Sequence, residues 1–166
     1  MKRIYLFILF IFCSIPALCQ NNAGKADDIS RIVLTPIVSS ASDIPSYATS
    51  VVHNKLNQIV SKHGIGGTAL VPRFIITANL VEVQKDITPT APPMIALTLS
   101  PTIYIGDAET GELYASCQLR DIKGVGENET KAYLDAAKRL NINTPEVLDC
   151  INTGKTKILE IGRAHV

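Results

Sequence analysis

From Ile95 to Leu119 the chain alternates between apolar and polar residues, with one turn cluster interrupting the pattern. Ile95, Leu97, Leu99, Ile103 and Ile105 share one parity, and Ala96, Thr98, Ser100 and Tyr104 share the other. Pro101 marks an expected break, because proline has no N–H to give to a strand ladder. Gly106-Asp107-Ala108-Glu109-Thr110-Gly111 reads as a turn. Leu113, Ala115, Cys117 and Leu119 then alternate with Tyr114, Ser116 and Gln118. Successive strand residues face opposite sides, so the stretch predicts an antiparallel hairpin with one covered face. A sheet with one apolar face needs a second layer.

The flanking segments carry a helical period that can supply that layer. Arg31 to Val38 is a β-branched run that predicts a first strand, bent or at a sheet edge near Pro36. Asp43 precedes Ile44-Pro45, a helix-start pattern. Ala48, Val51, Val52, Leu56, Ile59 and Val60 follow at three- and four-residue spacing, and Gly64 supplies the stop. Arg73 to Val83 is the longest strand candidate, and Asp86 to Pro93 reads as a proline-stiffened loop. Lys123-Gly124-Val125-Gly126 reads as a break in the sheet. Glu127 to Leu140 predicts a helix with acidic residues at its start and Lys138-Arg139 at its end, as the helix dipole favours. Thr144-Pro145-Glu146 opens a second helix expected to run through Ile151. The fold class is therefore α+β: a mainly antiparallel sheet of about four strands with helices packed on one face, in the order β-α-β-β-β-α-α.

The two ends of the chain bear on where it works. Lys2 and Arg3 precede the apolar run Ile4 to Phe12, and Pro16-Ala17-Leu18-Cys19 closes it. A basic start, an apolar middle and small residues before a cut site describe a secretory signal of a bacterial type over residues 1–19. The run is shorter than the roughly 20 apolar residues of a membrane span. Ala17 and Cys19 fit a cut between Cys19 and Gln20. The alternative is acylation of Cys19, which would anchor the chain to a membrane, although Leu18 is bulky for a lipidation signal. Residues 20–30 read as a loose polar leader, and residues 31–159 as a single domain. Glu160 to Val166 looks like the translation of a sequencing adapter, so the coding sequence is expected to be cut short near Leu159.

Composition narrows the function classes. Sixteen basic residues less Lys2 and Arg3 leave fourteen against fifteen acidic ones, so no basic face for nucleic acid is expected. The absence of tryptophan weakens a sugar- or base-stacking platform. Cys117 and Cys150 remain after a cut at Gln20 and would be free to pair in an oxidising periplasm. The simpler reading is two separate buried thiols, one on a strand and one on a helix.

The hairpin carrying Ile105-Gly106-Asp107-Ala108-Glu109-Thr110-Gly111-Glu112-Leu113, the later Gly-x-Gly and the alanine-rich helix resemble the CsgG, LpoB and TolB N-terminal group of bacterial cell-envelope domains. The resemblance covers Arg31 to Leu140. It implies envelope assembly, secretion or regulation of wall synthesis through protein contacts rather than catalysis. A CsgG-type pore also needs an acylated cysteine and membrane-crossing hairpins. Cys19 lacks a good acylation signal, and no pair of long lipid-facing segments is visible, so the resemblance supports the fold more than the pore.

No residue cluster specifies a chemistry. Gly124-Val125-Gly126 lacks the rest of a phosphate-binding signature, and Glu127 and Glu129 would repel an anion there. His53 and His63 lie too far apart along one helix to share a metal. Asp107, Glu109 and Asp121 lack the desolvated pairing of an acid–base site. Asn128-Glu129-Thr130 is a chance glycosylation match in a bacterial chain. The best recognition candidate is the stiff loop Thr88-Pro89-Thr90-Ala91-Pro92-Pro93, whose plain alternative is a mere crossover between strands. The expectation is thus a non-enzymatic exported protein, in the periplasm or at the outer-membrane periphery, that meets an envelope protein partner. That contact would be made through the proline loop or the edge strand near Arg31 to Val38. The expected partners include no nucleic acid, a membrane only if Cys19 is acylated, and room for an oligomer; no cofactor or metal is expected. The alternatives are a small-ligand or glycan-binding module using the sheet face, and a hydrolase whose catalytic part lies beyond Leu159.

Overall fold

The computed structural model describes residues 32–40, 42–67 and 72–164, with side chains as far as Ile161. The signal segment, Cys19 and Gln20 lie outside the described residues. Eight elements follow one another: β1 (Thr35–Pro36), α1 (Thr49–Lys62), β2 (Phe74–Thr88), β3 (Met94–Asp107), β4 (Leu113–Gln118), β5 (Ile122–Gly126), α2 (Glu129–Lys138) and α3 (Pro145–Ala164). The α+β class and the element order hold, with one further strand, β5, between β4 and α2. The sheet is mixed, because β1 runs parallel to β2 while the other pairs are antiparallel.

β3 is the spine of the sheet. β2 pairs with it over its whole length, from Phe74 opposite Asp107 to Thr88 opposite Met94. The other side of β3 is shared. β4 pairs with Thr102 to Gly106, and β5 pairs with Ile95 to Leu99. Pro101 sits in the gap, so the missing N–H costs no ladder bond, and its carbonyl accepts the Leu119 amide at 2.8 Å. The strand therefore runs through Pro101, and the expected break falls in its partners instead.

Ile76, Ala78 and Leu80 of β2 share a face with Leu97, Leu99, Ile103 and Ile105 of β3, and all are buried. Val52, Leu56, Ile59 and Val60 of α1, Ala132, Tyr133, Ala136 and Ala137 of α2, and Val147, Cys150, Ile151 and Ile158 of α3 join the same core. The helices thus cover one face. The opposite face carries Thr98, Ser100, Thr102, Tyr104, Ser116 and Gln118.

Three expectations change. The first strand spans Thr35–Pro36 rather than Arg31 to Val38, held by the Ile37 amide on the Ile76 carbonyl at 2.9 Å and by the Leu34 amide on Ile65 at 2.8 Å. Lys123 to Gly126 does not break the sheet but lies in β5. Gly124 and Gly126 turn toward α2, where a Cβ on Gly124 would stand 2.2 Å from the Ala132 carbonyl oxygen and one on Gly126 2.4 Å from the Ala132 nitrogen. They are glycines because a helix backbone lies against them. Finally, α3 continues past Ile151 to Ala164, because Ile151 and Ile158, with Leu159 and Ile161 at the margin, extend its apolar face against the core.

Candidate interaction surface

The far half of the β2–β3 pair forms an arm in which only the β3 side is covered: Ile95 to Leu99 pair with β5, and Leu97 and Leu99 are buried. Beyond Leu80 every β2 residue from Val81 to Ile87 is exposed. β1 accompanies β2 only at Ile75 and Ile76, so among the described residues the outer edge of β2 has no strand beside it from there to Thr88. Near the body that edge is occupied. The Leu80 amide bonds the Asn79 side chain at 3.1 Å, its carbonyl accepts from Tyr133 Oη at 3.5 Å, and Asp43 and Asn79 bond reciprocally at 3.0 Å. The open edge is thus Glu82 to Thr88. A register shift between Glu82 and Gln84 places Val83 as an extra residue. Val83 and Ile87 are 59% and 73% exposed. Lys85 is paired with Glu129 of α2, which ties the root of this arm to the body.

The five residues Pro89 to Pro93 cap the arm, and all are exposed. Threonines organise it. Thr88 Oγ1 accepts the Met94 amide at 3.2 Å and donates to the Met94 carbonyl at 3.1 Å, while Thr90 Oγ1 donates to the Pro92 carbonyl at 2.8 Å. The Ala91–Pro92 peptide is cis. The expected loop thus begins at Pro89, and Asp86 to Thr88 belong to the strand.

The other expected positions are dispersed or structural. Of the edge expected near Arg31 to Val38, Arg31 lies outside the described residues, and Leu34 is bridged to Gly66. Asp107 is a buried anchor: its Oδ2 accepts from Arg73 Nε at 2.9 Å and Tyr114 Oη at 3.1 Å, and its Oδ1 accepts the Glu109 and Thr110 amides at 2.8 and 3.2 Å. Burial works to raise this carboxyl, but the Arg73 guanidinium, the two amides and the Tyr114 hydroxyl outweigh it and hold it at about 2. Glu109 and Asp121 are exposed and make no pair with it. His53 shares a hydrogen bond with Asn57 at 3.0 Å, and His63 caps α1. Asn128, part of the chance sequon, caps α2 through the Lys131 amide at 2.9 Å. Among the described residues no three His, Cys, Asp or Glu side chains converge as a metal set would.

Cys117 and Cys150, for which separate thiols are the simpler expectation and pairing the alternative, lie on the same groove. Both line a groove of about 470 Å³ between β4 and α3, with Glu146, Asp149, Thr153 and Lys157. Cys150 is buried and Cys117 is half-buried. Sequence reasoning had no signal for this contact, since more than thirty residues separate the two cysteines and β5 and α2 intervene.

No protein-family model matches the chain, and no curated protein does. The resemblance to the CsgG, LpoB and TolB group therefore rests on the residues alone. Solved structures with remote likeness include a minor lipoprotein from Acinetobacter baumannii, at 11% identity and a TM-score of 0.44, covering 75% of this chain and 92% of that one. A Xanthomonas campestris protein of the DUF330 family shows 11% identity and a TM-score of 0.45, covering 77% of this chain and 88% of that one. Likeness at this level carries no functional argument.

Proposed function

We propose that this chain is an exported bacterial envelope protein of non-catalytic type that works by touching another envelope protein with the β2–β3 arm. The observation that supports the reading most is the arm itself. It offers seven exposed β2 residues beside an open strand edge, and ends in a loop already ordered by its own threonines. An edge strand can accept an added strand from a partner through main-chain hydrogen bonds, with alternate side chains giving specificity. An ordered tip loses little further entropy on binding. Export rests on the Lys2-Arg3 start and the apolar run that follows.

A photo-cross-linking residue placed at Thr90 or Ile87 in the full-length chain, in cells, tests the reading. The expected result is one discrete cross-linked protein from these positions and none from Glu109, at the opposite end of the same strand pair. No adduct at Thr90 and Ile87, or equal capture from Glu109, overturns it.

A further inference from the structure

We infer that Cys117 and Cys150 form an intramolecular disulfide that ties β4 to α3 in the exported protein. Geometry carries the inference. α3 packs on β4, Cys117 of β4 and Cys150 of α3 line the same groove, and that groove admits a reactant. Cys150 lies against the core while Cys117 is reachable from the groove. The pair is chemically unequal in the same sense. The hydrogen bond from Cys150 lowers the Cys117 thiol, while that bond and burial push the Cys150 thiol up. Cys117 is therefore the thiol that reacts first.

The oxidant is an external disulfide, borne by a protein or a small molecule, of the kind an oxidising compartment supplies. The Cys117 thiolate attacks one of its sulfurs, forming a mixed disulfide and expelling one thiolate. Cys150 then gives its proton to solvent and attacks Cys117 Sγ, expelling the second thiolate. Two thiols of the chain lose two protons and two electrons, and the external disulfide is reduced to two thiols. The closed loop encloses all of β5 and α2, which pack on β3 between the two cysteines.

The test is native treatment of the reduced full chain with oxidised glutathione, followed by blocking of free thiols and tryptic mapping without reductant. The expected product links peptide 86–120 to peptide 140–155 and disappears on reduction. In Cys150→Ser a glutathione adduct should accumulate on Cys117, whereas Cys117→Ser should gain at least about tenfold less adduct on the buried Cys150. The melting midpoint of the wild-type chain should rise by at least about 5 °C on oxidation, with no rise in either variant. A wild-type chain that keeps both thiols free, carries glutathione on Cys117 at the end point, or joins through Cys117 to a second copy overturns the inference. Folding of the variants is checked by circular dichroism. Should they be misfolded, the wild-type map alone decides.

Discussion

At one end of β3 a buried carboxylate gathers a guanidinium, a phenol and two amides; at the other end five exposed residues hang on two threonine hydroxyls. The tip joins β2 to β3 and the Asp107 turn joins β3 to β4, both between antiparallel neighbours, so strand pairing alone cannot account for the contrast. The difference lies in what surrounds the turn. The Asp107 side chain is 0% exposed, with Arg73 laid across the Phe74 ring at 5.2 Å and Tyr114 packed beneath. Every oxygen there needs a donor, because water is excluded. The Thr88–Pro93 tip stands in solvent, where water satisfies any group the loop leaves open. Fixing the first turn matters to the body of the protein, whereas the second is free to serve something outside it.

Removing the carboxylate should break the comparison most. Asp107→Ala leaves the Tyr114 hydroxyl and two turn amides without an acceptor, and should cost about 3–5 kcal/mol in urea unfolding, as loss of one member of a buried charged pair does. Arg73→Ala should cost less than Asp107→Ala, because Arg73 is 47% exposed and solvent screens its charge. An Asp107→Ala chain as stable as the wild type would remove the anchored end from the argument.

Gly124→Ala comes next, and it attacks the root of the arm, where β5 holds β3 to α2. The added Cβ meets the Ala132 oxygen and the Ala136 nitrogen, at 2.2 and 2.3 Å, so either β5 or α2 must move. Overpacking of this kind costs about 1–3 kcal/mol. These glycines explain how much of the fold the sequence could disclose. Alternation in β3 and β4 and the three-four spacing of α1 were legible because burial writes itself into apolar periods. β5 was not, since two of its three core-facing positions, Gly124 and Gly126, hold no side chain beside Ile122, and glycine reads as a breaker in a single sequence. The one available sign was their spacing, because residues two apart share a strand face. The Asp107 anchor was half legible. Asp-x-x-Thr-Gly announces a turn, but nothing local announces Arg73, thirty-four positions upstream.

Acid sharpens the contrast without mutation. The Asp107 carboxyl is ordinarily near 3.8 in an unfolded chain and is held at about 2 in the fold. A depressed carboxylate adds stability that is complete above the unfolded value and fades as pH falls through the folded one. Urea midpoints should therefore drop between about pH 4 and pH 2 in the wild type, and drop less in Asp107→Asn. Equal slopes in both chains would show that other carboxylates govern the acid limit. At the alkaline side, burial and the neighbouring Asp107 raise Tyr114 to about 12 from 10.0. A raised value works in the opposite sense, so its contribution is complete below pH 10 and is lost as pH climbs through about 12.

The smallest expected effect lies at the arm's tip and is the most diagnostic of its independence. Thr88→Val removes the hydroxyl that receives the Met94 amide and reaches the Met94 carbonyl, while keeping the β-branched shape a strand prefers. Global stability should change by no more than about 0.5 kcal/mol, as at exposed sites away from a core. Amide exchange should respond locally. Met94 should lose protection, while Glu109 and Thr110, bonded to Asp107 at the far end of β3, should keep theirs. Loss of protection at both ends would mean that β3 transmits disorder along its length, and the tip would then be part of the body's stability rather than a surface held out from it.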